Sequence, residues 1–177
     1  MPPSTIDPLR SALHLAALQL DAAEVTSQPH AMTHALLELS RAYRAMGALD
    51  AAEAGLSGAL RWSRLMGSVD ATVDLLCELS ETAASRAEMD DDGDRNSGRG
   101  HLARERARDA AFEAAQRAAQ VADSRWEITV LLRISDVLDR CGDRDDAVDL
   151  QARAMRLMAG DAGTPTEPQA LPALHDA

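Results

Sequence analysis

The sequence predicts an all-α domain, and three observations carry that expectation. Hydrophobic residues make up 46% of the 177 residues but aromatic ones only 2%, so Leu, Ala, Val and Met must build the core. Alanine, the strongest helix former, is abundant throughout. Apolar residues recur three and four positions apart between glycine and proline stops. A chain this long can bury a real core in one domain, placed over residues 1–160.

The elements follow in order. Asp7-Pro8 reads as cap and first-turn proline of a helix reaching about Glu24, with Leu9, Leu13, Ala16 and Leu20 as its apolar stripe. Pro29 breaks the chain. A second helix runs from about His30 to Met46 and stops at Gly47, and a third runs from about Leu49 to Met66 and stops at Gly67. The fourth covers about Val69 to Met89. DDDGDRNSGRG, Asp90 to Gly100, lacks apolar residues and reads as an inserted loop. A fifth helix, rich in Ala and Arg, covers about Leu102 to Ala122. Ser124-Arg-Trp-Glu127 reads as a capping box for a sixth ending at Gly142. Asp143 caps a seventh ending near Ala159. The segment 161–177, with Pro165, Pro168 and Pro172, is expected to be disordered.

The stretch LLELSRAYRAMGALDAAEAGLSGAL, Leu36 to Leu60, recurs as LLRISDVLDRCGDRDDAVDLQARAM, Leu131 to Met155. Leu36/Leu131, Leu39/Ile134, Ser40/Ser135, Gly47/Gly142, Asp50/Asp145, Ala52/Ala147, Ala59/Ala154 and Leu60/Met155 share one offset of 95 residues. A third copy begins at Leu76, with Leu79, Ser80, Ala83 and Ala87 in matching places. The expected architecture is a short α-solenoid of about three helical hairpins plus an N-terminal helix, seven helices in all.

This pattern resembles the tetratricopeptide repeat, a large residue, Leu, a small residue and Tyr on one helix, then Ala, an apolar residue and Ala on the next. Leu36, Leu39, Ser40, Tyr43, Ala52, Leu56 and Ala59 fill those roles, and Leu131, Ile134, Ser135, Leu138, Ala147 and Ala154 do so again. The resemblance spans roughly Thr33 to Ala159. The signature Trp and closing Pro are missing, Gln151 replaces an apolar residue, and units run to about 40 residues instead of 34. Small side chains such as Ser40, Ala52 and Ala59 are expected where helices cross closely.

Charge narrows the partners. There are 29 acidic and 18 basic residues, net −11, and every basic residue is Arg. Such a surface disfavours nucleic acid and favours a protein or peptide of basic or mixed charge. The absence of Lys beside so much Ala and Arg fits a GC-rich bacterial genome. MPPSTIDPLR carries no signal pattern and no apolar run suits a membrane, so a cytoplasmic protein is expected. Cys77 and Cys141 have no disulfide or metal spacing and are expected to be free and inert.

Motifs for chemistry are weak. His30, His34 and Glu38 share a helix face, but three ligands on one straight helix cannot surround an ion. An EF-hand frame on Asp90 to Asp94 puts Arg99 where a bidentate Glu is required. Arg95, Arg99, Arg104, Arg106 and Arg108 follow directly on an acidic run and are expected to pair locally. No nucleophile elbow, metalloprotease or phosphate-loop motif occurs. No enzyme activity, cofactor or metal is expected.

The resemblance implies a concave groove lined by the first helix of each hairpin. It would present His34, Arg41 and Arg44, then Asp74, Glu81 and Ser85, then Asp136, Asp139 and Arg140. The expected role is a protein-binding scaffold or adaptor. The alternative is a self-associating regulatory or structural subunit of a bacterial signalling system with no peptide in its groove. The last helix spreads apolar residues around more than one face, so a homodimer is expected through Leu150, Leu157 and Met158, with the N-terminal helix as a wet cap bearing Arg10, Gln19 and Asp21.

Overall fold

The computed structural model describes residues 6–26, 28–93 and 98–160. Seven helices occur there, with no strand: α1 Ile6–Thr26, α2 Pro29–Ala45, α3 Leu49–Leu65, α4 Val69–Gly93, α5 Arg99–Ala118, α6 Ser124–Cys141 and α7 Arg144–Met158. Four lie close to the expected bounds. α4 runs four residues past Met89 and α5 starts at Arg99, so the insertion is shorter than 90–100. Residues 94–97 and the expected tail 161–177 lie outside the described residues.

The stops behave as their chemistry requires. Gly47 and Gly142, equivalent in the repeat, have φ of +75° and +90°. That left-handed conformation lets Ala48 N–H reach the Tyr43 carbonyl and Asp143 N–H the Leu138 carbonyl, closing both helices in the same way.

Two caps differ from expectation. α6 is capped by Asp123, whose carboxylate accepts from the N–H groups of Arg125 and Trp126; Ser124 is already helical. Glu127 is buried and takes Arg153 of α7 instead of closing a capping box. Asp143 precedes α7 but makes no side-chain cap, because its carboxylate pairs with Arg108 at 3.2 Å. In both places a long-range arginine outcompetes a local N–H. α1 includes Ile6, ahead of the expected cap at Asp7, whose side chain lies outside the described residues.

Successive helices pack as antiparallel hairpins α2–α3, α4–α5 and α6–α7, with α1 against α2. The first helices α2, α4 and α6 are also neighbours of one another. The backbones of α3 and α5, and of α5 and α7, do not meet. A stack closer on one side than the other must curve, so the first helices line a concave face. The result is a short α-solenoid of three hairpins with one preceding helix.

The core follows the repeat. Leu56, Leu75, Leu76, Leu131, Ile134 and Leu138 are fully buried, with Ala52, Ala59, Ala147 and Ala154 at the hairpin crossings. At the α2–α3 crossing a Cβ added to Gly55 would stand 2.5 Å from Ser40 Oγ. α5 buries Gly100, Ala103, Ala107, Ala110, Ala111, Ala114, Ala115 and Ala118 along one seam. Ala83, Ala84 and Ala87 of α4 are equally buried. Small side chains bring these two helices together over most of their length.

Candidate functional site: an arginine–glutamate ladder on the concave face

The concave face is organised around Glu78. Its residue is 3% exposed in the middle of α4, inside a run buried from Leu75 to Ser80. A helix carries a carboxylate there only if cations come to it. Three arginines do. Arg41 Nε donates to Oε1 at 2.8 Å and Arg44 Nη2 to Oε2 at 3.0 Å, both from α2. Arg133 Nη2 donates to Oε1 at 2.6 Å from α6. Glu81 takes Arg44 at 2.9 Å and also Arg133. Glu38 adds a contact to Arg41 at 2.7 Å.

Burial pushes the Glu78 carboxyl up, but the hydrogen bonds and charges of Arg41 and Arg133 outweigh it, and the net displacement is downward. Arg133 loses to burial and gains more from Glu81 and Glu78, so its guanidinium is held charged.

The ladder also reports helix direction. Arg133 meets Glu78 and Glu81; seven residues on in both helices, Arg140 meets Ser85 at 3.2 Å and Glu88 at 2.8 Å. Equal steps in the same sense mean that α4 and α6 run parallel, as first helices of successive hairpins must.

The structure places Arg41, Arg44 and Glu81 in the ladder around Glu78, and Ser85 with Arg140 two turns further along it, each engaged by other residues of the same face. Asp139 pairs with Arg144 at 3.2 Å. Asp74 and Asp136 lie on the same helix stripes and make no direct ion pair among the described residues. Burial raises the Asp74 carboxyl despite the opposing charges of Arg133 and Arg41. His34 is exposed beside a crevice shared with Gln19, Ala22 and Thr26 of α1, away from the ladder.

Glu78 and Arg133, the centre of the ladder, were not among the residues the sequence pointed to. A signal existed. With the repeats aligned from Leu36, Leu76 and Leu131, Glu38, Glu78 and Arg133 are equivalent, as are Arg41, Glu81 and Asp136. Each set changes sign once between neighbouring helices, at Glu78/Arg133 and at Arg41/Glu81, and such a change of sign is what a cross-helix ladder needs.

A second polar cluster lies where α3, α4 and α5 meet. Asp50, Glu53, Arg86, Asp90, Arg99 and Arg106 line a cleft of about 420 Å³. Glu53 is 6% exposed; its Oε2 takes Arg106 at 3.1 Å and Arg86 at 3.4 Å, while Oε1 has no partner among the described residues. Burial raises its carboxyl and Arg106 opposes this in part. Arg106 and Arg108 reach acids of α3 and α7, not the acidic run before α5 as the local-pairing expectation had it.

The last helix corrects the expected dimer strip. Leu150 and Leu157 pack against the core, because α7 leans on α6 with that face. Met158 is exposed, with Val148 and Met155 beside it at 60% each. α1 is also less wet than expected, since Leu15, Leu18 and Val25 are exposed on it.

Among the described residues, no group of three His, Cys, Asp or Glu side chains could hold a metal ion, and no helix is long and apolar enough to cross a membrane. Cys77 is buried, which pushes its thiol up to about 12.

No family model matches the chain, and no curated protein matches it. Eleven solved chains match. One is the crystal structure of BtubC (BKLC) from P. vanneervenii, with a TM-score of 0.38 and 18% identity over 96% of this chain and 81% of that one.

Proposed function

We propose that the chain is a tetratricopeptide-like interaction module of a bacterial cytoplasm whose concave face takes a basic or mixed-charge segment of another protein. One observation carries the reading. Arg41, Arg44 and Arg133 are all engaged by Glu78 and Glu81, whereas Asp74 and Asp136 on the same face make no direct ion pair among the described residues. The charge left for a partner is negative, in keeping with the net −11 of the chain. A cation placed beside Asp74 would offset the burial that raises its carboxyl.

The test is selection from an array of random ten-residue peptides. Selected peptides should be enriched in Arg and Lys, bind more weakly as salt rises, and lose roughly tenfold in affinity with Asp74→Asn and Asp136→Asn together. Selection without charge bias, or affinity indifferent to both substitutions in a folded protein, overturns the reading.

The second reading, a self-associating subunit of a signalling system, is favoured by the apolar side chains left exposed on α1 and α7. It needs no peptide in the groove. No catalytic role is proposed for either cluster.

A further inference from the structure

α1 packs against α2 alone among the helices. Its inner side buries Ala16 and Ala23. Its outer side carries a second stripe, Ser11, Leu15, Leu18 and Val25, with Ala22 between the stripe and the crevice shared with α2, every member exposed. Leu15, Leu18 and Val25 are 58%, 51% and 86% exposed. Alternate steps of four and three residues are the seam of a helix that pairs with another helix. The exposed apolar residues of α7 form no such seam, since exposed Gln151 stands between Val148 and Met155.

The geometry points to a second copy of this chain as the occupant, its α1 lying antiparallel along this stripe to make a symmetric dimer. Self-complementarity selects that partner, and the charges beside the stripe select the direction. With the two-fold axis between Leu15 and Leu18, each Leu15 meets the partner's Leu18 in two central layers. Ser11 meets the partner's Ala22 on either side, so small residues let the backbones close up. On one flank His14 faces the partner's Asp21. A parallel pair would instead set His14 beside the partner's Gln19 and Asp21 beside the partner's Thr26, with no opposite charges across the seam. Contact along a helix of 21 residues extends over about 30 Å. The proposal is independent of the groove reading, because the stripe lies outside the concave face.

The experiment is sedimentation equilibrium on the full chain up to about 200 µM, a range that captures micromolar dimers. A dimer is expected. Leu18→Glu should raise its dissociation constant at least about tenfold, Asp21→Arg by several-fold, and Met155→Glu should leave it unchanged. Ser11→Cys mixed with Ala22→Cys should form a disulfide between copies, which neither variant forms alone. If Leu18→Glu loses helicity by circular dichroism, Asp21→Arg and the cysteine pair decide. A monomer at every concentration overturns the proposal, as does a dimer that Met155→Glu breaks and Leu18→Glu does not. A monomer that dimerises only when residues 161–177 are deleted also overturns it, by showing that the stripe is covered from within.

Discussion

Glu78 on α4 and Arg133 on α6 meet at 2.6 Å, and Glu78 is almost wholly buried while the Arg133 side chain keeps 29% of its surface. The carboxylate is thus held inside the solenoid by guanidinium groups that remain partly solvated. The pair links two successive hairpins, and Arg41 and Arg44 link Glu78 to the first hairpin as well. Three repeats are tied through one side chain.

Glu78→Gln keeps the shape and removes the charge. It should destabilise the domain by about 2 kcal/mol, the scale of a charge-assisted hydrogen bond with half-solvated donors. Urea unfolding measures it. Glu78→Gln combined with Arg133→Met should cost less than the sum of the two, by at least about 0.5 kcal/mol. Strict additivity would mean that the ladder does not couple the hairpins.

The pH dependence has opposing signs at two buried glutamates. The Glu78 carboxyl is held below its ordinary range, so its stabilisation is complete above the unfolded-chain value and is lost as pH falls through the folded one. The Glu53 carboxyl is raised by burial, so keeping it ionised costs stability at neutral pH, and that cost fades as pH falls through its raised value. The Glu78→Gln penalty should therefore shrink as pH falls through and below the ordinary carboxylate range, while Glu53→Gln should cost less than Glu78→Gln at neutral pH. Urea melts of both variants across neutral to acidic pH check this; a Glu78→Gln penalty that grows in acid contradicts the assigned sign.

Gly55→Ala should cost about 1–3 kcal/mol, since its Cβ meets Ser40 Oγ at 2.5 Å in a close helix crossing. Ser40→Ala in the same chain should recover part of that loss by removing the oxygen that clashes. Thermal unfolding of the two single variants and the double variant decides. Equal destabilisation with and without Ser40→Ala would place the strain elsewhere.

The two thiols should label in sequence. Cys77 is buried and its thiol is pushed up to about 12, while Cys141 is only part-buried, its thiol raised by burial and by Asp143. A disulfide reagent near pH 8 should modify Cys141 first and Cys77 only at the rate of unfolding. Rapid labelling of both in the folded protein would show that α4 opens locally.

The sequence by itself determined the helices, the stops at Gly47, Gly67 and Gly142, and the threefold hairpin repeat. These are local matters: propensity, a three-to-four-residue apolar period and glycines able to take positive φ act over a few residues. It also placed Arg41, Arg44, Glu81 and Arg140 on facing helices, because a repeat puts equivalent residues on equivalent faces. What those charges do was decided only by tertiary structure. Glu78, Arg133 and Glu53 have no local feature that separates them from the other charges of their helices; distance and burial alone make them the centres of clusters. The caps shifted for the same reason, with Arg108 and Arg153 arriving from other helices to take Asp143 and Glu127. The face of α7 likewise depended on packing: Leu150 and Leu157 are as apolar as Met155 and Met158, and only the angle at which α7 rests on α6 determines which pair is left outside.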